Sequence, residues 1–169
     1  MERYLRPKRR EFFDEVFSRL PLQFEFLLDV GCGSGYLMRL ILDAAPRQVK
    51  CLGLDIARAA VDACARTCPE ADIINASVYQ MPLMCASLDL ITCIEVLEHL
   101  LKPKRALDEM LRVLRPTGRL AISVPDGDFD DWEWHNNYWN VSAFRDFLVP
   151  YCVRVFERIG QTFFVLLSK

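Results

Sequence analysis

Residues 26–30, FLLDV, form a short apolar run that ends at the loop GCGSG, and a helical pattern starts at once at Tyr36. That succession constrains the fold more than any other feature of the chain. A continuously apolar strand is buried on both faces, and a strand that feeds directly into a helix belongs to a parallel sheet with helical crossovers. The unit then recurs. Tyr36–Ala45 reads as helix and stops before Pro46, and Val49–Ile56 is a second strand. Ala57–Cys68 is an alanine-rich helix, Asp72–Ile74 begins a third strand, and Leu88–Ile94 is a fourth, followed by a helical EVLEHL. Lys104–Leu114 is a strong helix with Pro103 suited to its first turn and RPTG as its stop, and Arg119–Val124 is a fifth strand.

Ser142 is placed as the N-cap of a helix carrying Phe144, Phe147 and Leu148 on one face. The final CVRVFERIGQTFFVLLSK reads as two strands around Gly160, a hairpin. An amphipathic helix over 9–19 leads in. The expectation is one doubly wound α/β domain over 1–169, with 1–25 as a helical lead-in. Its seven-stranded, mostly parallel sheet ends in an antiparallel C-terminal edge hairpin.

Composition removes several alternatives. With 169 residues, 52% of them hydrophobic, the chain supports one core and not two. Its apolar runs are broken well before the ~20 residues a membrane span requires. The basic start, MERYLRPKRREFF, lacks the apolar stretch of a secretory signal. Seven cysteines without a CxxC pair, most of them inside apolar runs, suit a reduced, cytoplasmic setting. Cys64 and Cys68 would need two further ligands to hold zinc, and His99 and His135 are the only histidines, so no metal centre is expected. The cluster Arg3, Arg6, Lys8, Arg9 and Arg10 reads as a solvated helix face or a lid. A net charge of −2 and the lack of a basic stripe disfavour nucleic acid.

Ligands of doubly wound folds bind at the carboxyl ends of the strands, near the point where strand order reverses. Gly31, Gly33 and Gly35 fall there. Glycine removes the Cβ that would hold a ligand away from the backbone, and a ligand-free turn needs fewer glycines than three. The spacing is G-x-G-x-G, with Tyr36 where a nicotinamide loop has its third glycine, and there is no Walker lysine. Asp55 closes the second strand twenty residues beyond Gly35. There it can accept from both hydroxyls of a ribose, cap the following helix, or do both. A ribose-bearing ligand without pyrophosphate fits, and S-adenosylmethionine has that form.

In order along the chain, LLDVGCGSGYL, GLDI, ASVYQMPLMCASLDLI and CIEVLEHLLKPKRALDEMLRVLRPTGRLAISVP resemble the motifs of class I S-adenosylmethionine-dependent methyltransferases of the type 11 group. The resemblance covers about residues 26–149. It implies a Rossmann-like fold in which Gly31, Cys32, Gly33 and Gly35 pass against the methionine and ribose, and Asp29 braces the loop. Asp55 would take the ribose hydroxyls, and Ile56 would pack on adenine. Ser77 stands where the family often has an aspartate for the adenine amine, with the Val78 N–H beside it. Cys93 and Glu95 would lie beside the methionine part and the methyl group.

Methyl transfer needs a positioned acceptor, and a base only for a hydroxyl or a protonated amine. His135 and Glu95 are the candidate catalytic residues. His135 lies in DGDFDDWEWHNNYW, whose interleaved acids and aromatics suit an acceptor-binding lid or a solvated acidic loop. Glu95 and His99, four apart, would pair on a helix surface. The function expected is methyl transfer to an O or N atom of a small-molecule acceptor. The alternative is a cofactor-binding scaffold that acts through a partner protein, and a partner or second copy completing the site belongs to either reading.

Overall fold

The computed structural model describes residues 7–44 and 49–169. Its strands are β1 (Phe26–Val30), β2 (Lys50–Asp55), β3 (Asp72–Asn75), β4 (Leu88–Ile94), β5 (Leu114–Pro125), β6 (Cys152–Ile159) and β7 (Thr162–Ser168). The α-helices are α1 (Pro7–Ser18), α2 (Tyr36–Ala44), α3 (Arg58–Thr67), α4 (Pro103–Val113) and α5 (Val141–Leu148). All seven strands form one sheet in the order β3-β2-β1-β4-β5-β7-β6. β1 to β5 pair in parallel, and β7 runs antiparallel between β5 and the edge strand β6. The chain winds outward from β1 to β3, then returns to place β4 on the other side of β1. The order therefore reverses between β1 and β4, and their carboxyl ends open a crevice.

Successive residues of a strand point to opposite faces, so each apolar run feeds two cores. Leu28, Val30, Ile91, Cys93, Ile122 and Val124 pack with Leu107 and Met110 of α4 and Phe144 of α5. Leu27, Leu90 and Ala121 pack on the other face with Val16 of α1, Met38 and Ile41 of α2, and Cys64 of α3. Burial on both faces is why FLLDV and LDLITCI lack the polar alternation of an exposed strand.

Three local expectations are corrected. EVLEHL is not an α-helix: Glu95 sits at φ +56°, which ends regular structure, and only a 3₁₀ turn follows at Leu97–His99. RPTG stops α4 as expected, but the fifth strand is longer than Arg119–Val124: β5 begins at Leu114 and runs twelve residues through RPTG, with an irregularity in pairing between Leu88 and Leu90. The N-cap of α5 is Asn140, whose side-chain oxygen accepts from the Ala143 N–H at 3.0 Å, and Ser142 lies inside the helix. Ala45, Arg3 and Arg6 lie outside the described residues. Among the described residues, no helix is long and apolar enough to cross a membrane.

Candidate functional site

The loop after β1 is held by the end of β2. Gly31 and Cys32 donate their N–H groups to the Leu54 carbonyl at 2.7 and 3.1 Å. Gly33 donates to Asp55 Oδ2 at 3.1 Å, and Ala57 donates to Asp55 Oδ1 at 2.9 Å. The Asp55 carboxylate thus staples the loop to β2 and to the entry of α3. Each oxygen keeps a lone pair for a further donor, because a carboxylate offers about four acceptor sites. Two of the glycines also answer to packing. A Cβ on Gly31, at φ +68°, would lie 2.4 Å from Val96 Cγ2, and one on Gly35, at φ +80°, would lie 2.9 Å from Cys64 Sγ.

A cavity of about 350 Å³ opens between this loop, Asp55 and the 76–79 segment. Gly31, Gly33, Asp55, Ile56, Ser77, Val78 and Glu95 all line it. Ile56 is exposed at its lip, and Ser77 Oγ accepts from the Tyr79 N–H at 3.3 Å. A half-buried carboxylate with spare lone pairs stands over a glycine backbone and is flanked by apolar side chains. That set suits the ribose and purine of S-adenosylmethionine. Asp29 and Cys32 line a narrower recess behind the loop, roofed by Arg9 and Phe13 of α1. Asp29 is buried and accepts from the Thr92 hydroxyl at 2.7 Å, its register neighbour on β4. Burial pushes its carboxyl up to about 7, against the lowering effect of the Thr92 bond. Cys93 is not brought to the cavity. Its thiol is fully buried in the α4 and α5 core, and that burial raises its pKa.

Glu95 stands at the mouth of β4 and also lines a second cavity, of about 280 Å³. Its left-handed backbone is fixed by its own N–H, which donates to the Ser123 carbonyl at 3.0 Å. Its carboxylate accepts from Thr162 Oγ1 at 3.1 Å and forms an ion pair with Arg9. A strained non-glycine residue held by contacts from three elements is typical of a functional position. Glu95 does not form the helical pair expected with His99.

The far wall of this cavity is the acidic, aromatic segment after β5. Gly127 donates to the Trp139 carbonyl at 2.7 Å, closing the segment on itself. Asn136 and Asn137 donate their N–H groups to the Glu98 carbonyl at 2.7 and 3.1 Å, which docks it on the 3₁₀ turn. His135 Nδ1 is bonded to Asp130, and the two side chains are only 6% and 8% exposed. Trp132 stacks on the imidazole at 5.6 Å, and His99 meets it edge-on at 4.6 Å. Asp126 is buried and paired with Arg158. Glu98 is buried as well, and its Oε2 has no hydrogen-bond partner; burial, then the nearby Glu95, holds its carboxyl well above the usual range. Sequence reasoning passed over Glu98, Arg9 and Thr162 as site residues. The spacing of Glu98 from Glu95 was a visible signal, but Arg9 and Thr162 arrive from opposite ends of the chain.

The parallel sheet, its reversal between β1 and β4 and the glycine loop stapled to Asp55 define a Rossmann-like domain of the class I methyltransferase type. A family model described as a methyltransferase domain matches residues 28–122, and the chain belongs to that family of S-adenosylmethionine-dependent enzymes. It is 37% identical over 100 residues to a probable S-adenosylmethionine-dependent methyltransferase of Mycolicibacterium smegmatis, covering 59% of this chain and 38% of that protein. It is 30% identical over 120 residues to a ubiquinone biosynthesis O-methyltransferase of Xylella fastidiosa, covering 66% of this chain and 46% of the relative. The chain therefore spans between a third and a half of the length of these relatives. Among solved structures, a SAM-dependent methyltransferase from Aquifex aeolicus superposes with a TM-score of 0.84 at 19% identity, over 98% of this chain and 95% of that one, a likeness of fold.

Proposed function

We propose that this chain, working as one domain, transfers a methyl group from S-adenosylmethionine to an oxygen or nitrogen atom of a small polar acceptor. The observation that carries the reading is the meeting of two cavities at Glu95, one built on Asp55 and the glycine loop, the other on His135 and Asp130. Bound S-adenosylmethionine supplies a methyl group on a sulfonium, which needs no activation by the protein. The residues of this chain then have two tasks, to fix the cofactor and to align the acceptor. Asp55 takes the ribose hydroxyls with its remaining lone pairs, Ile56 and Val78 flank the purine, and Ser77 lies at the edge of the base. Asp29 and Cys32 line the recess toward the methionine end.

Glu95, fixed by Arg9 and Thr162, stands between cofactor and acceptor. Asp130 fixes the tautomer and orientation of His135, so Nε2 is the nitrogen left to activate the acceptor. Trp132 supplies a flat apolar wall. Free thiols at all seven cysteines, five of them buried, suit a reducing, cytosolic compartment. The cavity volumes favour a small molecule over a nucleic acid as acceptor.

Calorimetric titration with S-adenosylhomocysteine tests the reading. The wild type binds with micromolar affinity, and Asp55→Ala loses that binding together with the staple on Gly33. His135→Ala keeps cofactor affinity and loses turnover across a panel of phenols, sugars and amines. Wild-type protein that does not bind the nucleoside would refute the assignment.

A further inference from the structure

We propose that Glu98, His99 and His135 form a binding site for a divalent first-row metal ion in the wall of the acceptor cavity. The inference rests on the methyltransferase reading and deepens it, by specifying how His135 acts on the acceptor and which atom is methylated. One ligand atom from each of the three residues lies within 4.8 Å of the others. That spacing suits one ion once the side chains draw in to bonds of ~2.1 Å.

Three further features distinguish this group from an ordinary surface cluster. Glu98 is 1% exposed, and its Oε2 has no hydrogen-bond partner. A buried carboxylate oxygen left unsatisfied is costly, and a cation is the partner that would satisfy it. The His135 imidazole is tied through Nδ1 to Asp130, leaving Nε2 as the metal-binding nitrogen. Carboxylate–histidine–metal is the arrangement by which metal sites orient their imidazoles. The pairing of the neighbouring acids is the third feature: Arg9 pairs with Glu95 and Arg158 with Asp126, whereas among the described residues Glu98 forms no ion pair.

One carboxylate and two imidazoles suit zinc, manganese, iron or cobalt better than magnesium or calcium, which prefer oxygen alone. Three protein ligands leave coordination positions open to the cavity, as in catalytic rather than structural sites. A hydroxyl oxygen of the acceptor fits such a position, and the ion would lower its pKa. The hydroxyl proton is released to solvent, and an oxygen lone pair forms the new O–C bond. The methyl C–S bond breaks toward sulfur, leaving S-adenosylhomocysteine. The reaction is then an O-methylation, with His135 holding the ion rather than taking the proton.

The test is titration of the chelator-treated protein with cobalt(II), read by visible absorption, with S-adenosylhomocysteine affinity measured calorimetrically on the same samples. One equivalent of cobalt should bind with d–d bands and no sulfur-to-cobalt charge transfer. Glu98→Gln and His135→Ala should abolish those bands, and Asp130→Asn should weaken binding on the order of 10- to 100-fold as the loss of an orienting partner. Cofactor affinity should be unchanged in each variant, which also reports that it folds. No stoichiometric cobalt binding, bands that survive in His135→Ala and Glu98→Gln, or a charge-transfer band placing the ion on the cysteines would each overturn the metal site. Nucleoside binding that persists without cobalt binding defeats the metal site alone. Cobalt binding without nucleoside binding defeats the methyltransferase reading instead.

Discussion

Replacing Asp29 by asparagine should stabilise the ligand-free protein at pH 8, and by less than half as much at pH 5. Asp29 is a buried acid in the middle of the sheet, and its carboxyl accepts from the Thr92 hydroxyl at 2.7 Å. Burial raises its carboxyl from an ordinary 3.8 to about 7, with the charge on Asp55 adding in the same direction. Between those two values the folded protein holds a proton that the unfolded chain has released. Stability therefore falls as pH rises through this window, and the full penalty is present above about 7. At ~1.4 kcal/mol for each pH unit the ceiling is ~4 kcal/mol, and relaxation around the charge brings the expected gain to about 1–3 kcal/mol. Asparagine keeps an acceptor for Thr92 and carries no charge to desolvate. Urea unfolding of both proteins at several pH values between 5 and 8 isolates the effect, because Glu98 and every other titrating group cancel in the difference. A difference that does not grow with pH, or an Asn variant less stable at pH 8, would refute the reasoning.

Two other substitutions test the packing that shapes the site. Gly31→Ala meets a left-handed backbone and Val96 Cγ2 at 2.4 Å, so it should cost about 2–4 kcal/mol in thermal unfolding. Val96→Ala in the same molecule should recover the steric part and leave the backbone part; no recovery would mean that Val96 is not what the new methyl meets. Phe144→Ala removes a fully buried ring that packs with Trp139 at 5.5 Å and Phe163 at 6.0 Å. It should cost ~3–5 kcal/mol in urea, and a loss below 1 kcal/mol would place α5 outside the cooperative core.

Much of the architecture was legible because it is written locally. The limits of β1 and β4 follow directly from apolar runs that are buried on both faces. Pro103 opens α4, and the glycine loop meets Asp55, twenty residues on, through the Gly33 N–H that donates to its carboxylate. These features depend on residues close in sequence, whose periodicity and backbone preferences act before any long-range contact forms. The corrections arise where distant partners decide. EVLEHL has a helical composition, but Ser123, Thr162 and Arg9 hold Glu95 in a left-handed conformation that no helix contains. Asn140 rather than Ser142 caps α5, where the segment before it turns back to bond Gly127 to Trp139.

The sequence by itself determined a parallel sheet wound about β1 and the methyltransferase family to which the chain belongs, because strand burial and glycine geometry are short-range properties. Only the tertiary structure decided that Glu98 Oε2 would be buried without a hydrogen-bond partner beside His99 and His135. That encounter depends on how the chain after β5 folds back over the end of β4, a long-range closure with no period or spacing to announce it.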